Sequence, residues 1–211
     1  RSSDILEFVR NEISILTQII QKKWAVKILN HFEMPFFSDR HQYALTFELL
    51  GPSLYDLKKY NQLNSLSIYS SNQLIKKCFK AVMSLHKLKI LHCDIKPHNF
   101  CIGIFKQDKD KVFLIDYGLS IDTKSEVDLL KNSFRGTLTF MSPNTHLKKS
   151  FKPIDDLISL FYTMIYLYGE IPWEKMYDNE SVLLEKNRFS HEELGKSTKK
   201  SLLRVIGKYL D

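Results

Sequence analysis

Long apolar runs are missing from this chain of 211 residues: no stretch of eighteen side chains stays apolar, so no membrane-spanning helix is expected and no membrane partner. The opening residues, RSSDILEFVRNE, lack the apolar centre of a secretory signal. Cysteine is scarce. Cys78, Cys93 and Cys101 are odd in number and make no metal-ligand spacing, which points to a reducing cellular interior, cytoplasmic or nuclear. Internal repeats, low-complexity tracts and interdomain linkers are also absent. With 44% hydrophobic side chains, the chain is ample for one core and short for two.

Positive charge, by contrast, is in excess. The net charge is +7 and the isoelectric point near 9.1. The lysines fall in scattered pairs, at 22–23, 58–59, 76–77, 148–149 and 199–200, with no long basic stripe interleaved with aromatics. That pattern argues against nucleic acid as a partner and fits acidic protein segments better.

The densest chemistry lies in residues 90–120, ILHCDIKPHNFCIGIFKQDKDKVFLIDYGLS. Two short apolar runs, 89–91 and 112–115, each lead into an acid, Asp94 and Asp116, which suggests two carboxylates held at the edge of a sheet. Phosphoryl transfer needs one carboxylate to orient the attacking hydroxyl, with a carboxylate and an amide on magnesium. Asp94, Lys96, Asn99 and Asp116 supply those groups at the spacing of a kinase catalytic loop and its D-F-G. The bland alternative is a turn between strands whose acids are merely solvated.

The segments LLGPSLYDL (49–57), HCDIKPHNF (92–100), FRGTLTFMSPNTHL (134–147) and DDLISLFYTMIYLYGEIPW (155–173) extend the match over nearly the whole chain. The sequence resembles the eukaryotic protein kinases, and within them the casein kinase 1 group, with FRGT and DDLxSLFY most similar to its tau-tubulin branch. The resemblance implies an α+β, protein-kinase-like fold with a mostly helical C-lobe and a truncated β N-lobe. It implies a monomeric serine/threonine kinase using ATP and Mg2+ on an acidic or Ser/Thr-containing protein substrate. The alternative is a pseudokinase serving as a protein-binding scaffold.

In chain order, residues 4–20 place Ile5, Phe8, Val9, Glu12, Ile13, Leu16 and Ile20 at helical spacing, with Ser2 or Ser3 as caps. In the kinase register this is the C-helix, and Glu12 is the acid that pairs with the ATP-binding lysine; otherwise it is an ordinary helix acid. Residues 24–32 and 43–50 read as two strands around a turn at 38–40. Ala25-Val26-Lys27-Ile28 mimics the V-A-I-K of a kinase strand, but that lysine must precede the C-helix, so Lys27 reads as a solvated strand lysine. A glycine-rich loop and the strand lysine are missing from the 211 residues. The expectation is therefore a single incomplete kinase domain, 1–211, with 1–50 the remnant of the N-lobe and hinge and 51–211 the C-lobe, inactive by itself.

By the same resemblance, Phe47 walls the adenine pocket, and backbone groups of Glu48 and Leu50 bind the base. Ser53 and Asp56 fall at ribose-side positions, though S-x-x-D is also a helix cap. Residues 71–88 read as a buried helix, with His86 structural. Asp94 is the base, Lys96 steadies the transferring phosphoryl group, Thr137 bridges the two, and Asn99 and Asp116 hold magnesium. His92 is a packing residue and His98 exposed. Cys93 stands where many kinases have an arginine that reads a phosphorylated activation loop. Cys101 replaces an apolar residue under the adenine. The group's usual arginine is absent at Thr139, with Arg135 nearby. Residues 155–168 predict a buried helix whose Asp156 caps the catalytic loop, ended by Gly169, and residues 183–189 and 199–210 two further helices.

Overall fold

The computed structural model describes residues 2–35, 41–60, 68–124 and 135–192. A first helix, α1 (Ser2–Ile19), is followed by an antiparallel pair, β1 (Ile28–Pro35) and β2 (His41–Phe47). A short α2 (Leu54–Lys59) and a long α3 (Ile68–Lys87) open the helical part. Between α3 and the next long helix the chain forms β3 (Ile90–Leu91), a 3-10 turn (Pro97–Asn99), β4 (Phe100–Ile102), β5 (Val112–Leu114) and β6 (Ile121–Asp122). Helices α4 (Pro143–His146), α5 (Pro153–Tyr168) and α6 (Asn179–Glu192) follow among the described residues. This is the mixed, mostly helical α+β architecture expected, with few and short strands.

The helices form where their apolar periodicity demands burial. On α3, Ile75, Cys78, Ala81, Val82 and Leu85 make one buried stripe at three- and four-residue steps. Helix α5 is buried nearly all round; Pro153 at its first position fits a helix start, and the backbone N–H of Lys152 donates to Asp155. Leu167 on this helix and Trp173 just beyond it are fully enclosed. No helix among the described residues is long and apolar enough to cross a membrane.

Several expectations need correction. On α1 the buried face is Ile15, Leu16 and Ile19, whereas Phe8 and Ile20 are exposed. The core-facing stripe thus runs one position away from the one that includes Ile20, and Glu12 lies on it. The first strand begins at Ile28, not at residue 24, because Ala25 instead bridges to Leu114 in β5, and Leu114 N–H donates to Trp24 O at 2.8 Å. Lys27 is exposed but lies just before the strand. The second strand ends at Phe47, leaving residues 48–50 as a connector.

The two acid-bearing runs do not share a sheet. β3 pairs with β6 and β5 with β4, each as a separate antiparallel ribbon. The turn at 38–40, the caps Ser2 and Ser3 as side chains, Phe134 and the helix expected at 199–210 lie outside the described residues.

Candidate active site

Asp94 sits three residues beyond β3 and is buried, 7% exposed. Its backbone is fixed before its side chain acts. His92 Nδ1 accepts the Asp94 N–H (3.3 Å), which leaves His92 Nε2 to carry the proton donated to Ile115 O (3.0 Å). The buried His92 ring, 5.2 Å from that of Tyr117, thus ties the two ribbons together where sheet pairing does not. It is the packing residue expected.

The Asp94 carboxylate has two partners. Lys96 Nζ lies 2.6 Å from Oδ2, and Thr137 Oγ1 donates to Oδ1 at 2.8 Å. Lys96 Nζ also reaches Thr137 Oγ1 at 3.1 Å, closing a ring of three side chains. The bridging position expected of Thr137 is thus occupied by Thr137, 43 residues from Asp94. Gly136 makes the approach possible: its φ is +95°, and a Cβ there would lie 2.7 Å from Cys93 O.

Asn99 joins Asp94 to the second acid. Its Nδ2 donates to Asp94 O (2.9 Å), so Oδ1 is the amide atom left for a ligand, while its backbone O accepts Ile115 N–H (3.0 Å). Asp116 follows directly, exposed and held at φ +67°, a left-handed conformation stored at the site. Asn11 on α1 fastens the next turn: its Nδ2 lies 3.1 Å from Gly118 O and 2.8 Å from Ser120 O.

A cavity of about 290 Å³ lies between these groups and the β1–β2 pair. Glu12, Phe47, Glu48, Leu50, Cys101 and Asp116, all singled out from sequence, line it, with Val26 and Ile115 completing the apolar wall. Cys101 is buried, which pushes its thiol up to about 11, so it is an apolar wall group and not a nucleophile. A larger cavity, about 530 Å³, lies between α1 and residues 118–122 and is lined by none of the expected site residues.

Glu12 faces the cavity from α1. Among the described residues its partner is the Tyr117 N–H (3.3 Å), not a lysine. Burial, then the nearby Asp116 carboxylate, raises its pKa above the ordinary range. Ser53 and Asp56 are brought together as a capping box at the start of α2, Oγ to Oδ2 at 2.6 Å, and neither lines the cavity. The antiparallel bridge of Ser53 to Cys101 nonetheless keeps them beside it.

Below the catalytic loop, Asp156 at the first turn of α5 accepts the backbone N–H of His92 (2.8 Å) and of Cys93 (2.9 Å), and its Oδ2 also meets His86 Nε2 at 2.8 Å. His86 is structural, as expected. His98 is exposed and stacks on Tyr55, ring centroids 3.9 Å apart.

Residues 1–206 match the protein kinase domain family. The chain belongs to that family. Within it the chain belongs to the casein kinase 1 group. It is similar to a probable serine/threonine-protein kinase of Dictyostelium discoideum, 33% identical over 158 residues, covering 72% of this chain and 32% of that protein. A casein kinase 1-like protein of Oryza sativa subsp. japonica is 33% identical over 159 residues, covering 70% and 22%. A putative casein kinase I of Caenorhabditis elegans is 26% identical over 189 residues, covering 84% and 55%. The matched region spans about a third, a fifth and a half of these relatives.

The kinase family's magnesium and nucleotide can be tested against the donor set. Among the described residues no three His, Cys, Asp or Glu side chains are placed to hold a metal ion together, so no all-protein metal cage is formed there. Asn99 Oδ1 and the exposed Asp116 carboxylate are hard oxygen donors, and magnesium held by one or two protein oxygens completes its shell with phosphate and water. The apolar cavity beside Asp116 is of a kind that suits a base. These residues fit the group.

Two buried or half-buried polar residues near the site escaped sequence reasoning. Asn11 acts through backbone carbonyls more than a hundred residues away, and Lys186, in a polar stretch of α6, has the look of a surface lysine. No local pattern flags either.

Proposed function

We propose that this chain carries the catalytic part of a serine/threonine protein kinase of casein kinase 1 type, transferring the γ-phosphate of ATP to a serine or threonine hydroxyl of a protein. The observation that carries this is the ring of Asp94, Lys96 and Thr137, closed at 2.6, 2.8 and 3.1 Å. Asp94 accepts the hydroxyl's hydrogen bond and takes its proton. Lys96 places positive charge where the transferring group develops negative charge, and Thr137 holds the carboxylate and the amine in register. Asn99 Oδ1 and Asp116 would hold magnesium, whose charge offsets that of the phosphates.

Phe47, Val26, Leu50, Ile115 and Cys101 wall the adenine. Among the described residues Glu48 O and Leu50 N–H make no protein hydrogen bond, which leaves them for the base edge. Ser53 and Asp56 act at the ribose side through the capped start of α2. The net charge of +7 favours acidic protein substrates, and a cytoplasmic or nuclear setting goes with the three free cysteines.

A pseudokinase scaffold, which binds a protein partner without transferring phosphate, is the competing reading. Phosphate incorporation into casein by the full-length protein separates the two. Incorporation that depends on magnesium supports the enzyme; none, with partner binding intact, replaces it by the scaffold.

A further inference from the structure

Lys186 is 1% exposed on α6, and its ammonium is fully committed. Nζ lies 2.8 Å from Leu138 O, 2.8 Å from Met141 O and 2.9 Å from His146 Nε2, three acceptors for three protons. Because His146 Nε2 accepts, its Nδ1 carries the proton donated to Asn179 Oδ1 (2.6 Å). The rings of Tyr162 and Trp173 lie 4.9 and 5.6 Å from Nζ. None of these partners is a carboxylate, and an enclosed cation without a counter-ion is costly to keep.

The turn it grips is the one that ends in the catalytic ring. Thr137 O accepts Phe140 N–H (2.8 Å) and Met141 N–H (2.9 Å), Trp173 Nε1 donates to Thr139 O (2.8 Å), and Leu138 follows Thr137 directly. We propose that Lys186 is a positioning residue, its ammonium holding the turn of residues 137–141 in the shape that presents Thr137 to Asp94 and Lys96. Burial without a carboxylate pulls its pKa down to about 7, consistent with a group retained for its three hydrogen bonds and not for an ion pair. The kinetic part of this rests on the kinase reading; the tether itself does not.

The test uses the full-length protein with Lys186→Met, which keeps the stem and removes the donors, beside Val182→Ala, a buried change on the same helix. Amide hydrogen exchange at Phe140 and Met141 should rise by about tenfold or more in Lys186→Met, while His92 and Cys93 stay protected. Transfer to a protein substrate, as kcat/KM, should fall by about tenfold or more with the KM for ATP unchanged, since small misplacements of a catalytic group cost that much. Val182→Ala should do neither. If Lys186→Met does not fold, Lys186→Gln, with fewer donors, should show the same exchange at the same two amides. Unchanged protection at Phe140 and Met141, or an equal loss in Val182→Ala, overturns the tether. A parent protein that transfers no phosphate overturns the kinase reading instead, and the exchange result then decides the tether alone.

Discussion

The carboxylate of Asp156 accepts the backbone N–H of Cys93 at 2.9 Å, across 63 residues of sequence. With the His92 N–H on its other oxygen, it pins the left-handed turn at Cys93 (φ +67°) from which Asp94 projects. Asp156→Ala leaves two buried N–H groups unsatisfied. At about 1–3 kcal/mol each the expected loss is about 2–6 kcal/mol of stability. Urea unfolding checks it, and a loss within about 0.5 kcal/mol, as at an ordinary surface site, would contradict the role.

Gly136 gives a second, independent strain test. An added Cβ would meet Cys93 O at 2.7 Å in a backbone already at φ +95°. Gly136→Ala should cost about 1–3 kcal/mol and displace Thr137 from Asp94, lowering phosphate transfer while leaving nucleotide binding in place. Melting temperature and transfer measured together check this; full activity in the variant would show that the close approach is not needed.

The pH dependence of stability should carry the signature of His146. Burial pulls its folded pKa from the usual 6.5 down to about 4, against the pull of its bond to Asn179. Between those values the unfolded chain binds the extra proton, so stability is lost as pH falls from about 6.5 to about 4. His146→Gln should flatten that loss by about 1–3 kcal/mol, read as the difference in urea midpoints between pH 7 and pH 4.5. Parallel pH profiles for parent and variant would refute it.

Asp94, Lys96 and Asn99 were legible because they fall at short fixed offsets in one loop, whereas Thr137, 43 residues on from Asp94, was legible only through the family resemblance. Helix α5 was legible for a different reason, since an apolar pattern all round leaves only burial. The strand starting at residue 24 was misjudged because Ala25 and Trp24 look apolar and extended, yet their pairing is with Leu114, almost ninety residues on. Asn11 and Lys186 were illegible on similar grounds: each works through backbone carbonyls, which any sequence supplies. The dual character of Ser53 and Asp56 was readable, and the capping box was the part that local geometry could settle.

In the proposed reaction Asp94 is the base and Asp116 the metal side of one active site. Asp94→Asn keeps the shape and removes the base; Asp116→Asn removes charge from a magnesium ligand. Both variants and the parent, as full-length proteins, are compared for phosphate incorporation into casein and for magnesium-ATP affinity by calorimetry. Asp94→Asn should lower incorporation by about 10² or more with affinity preserved, the usual scale of acid-base catalysis, whereas Asp116→Asn should weaken affinity as well. Incorporation by Asp94→Asn equal to that of the parent would show that Asp94 is not the base.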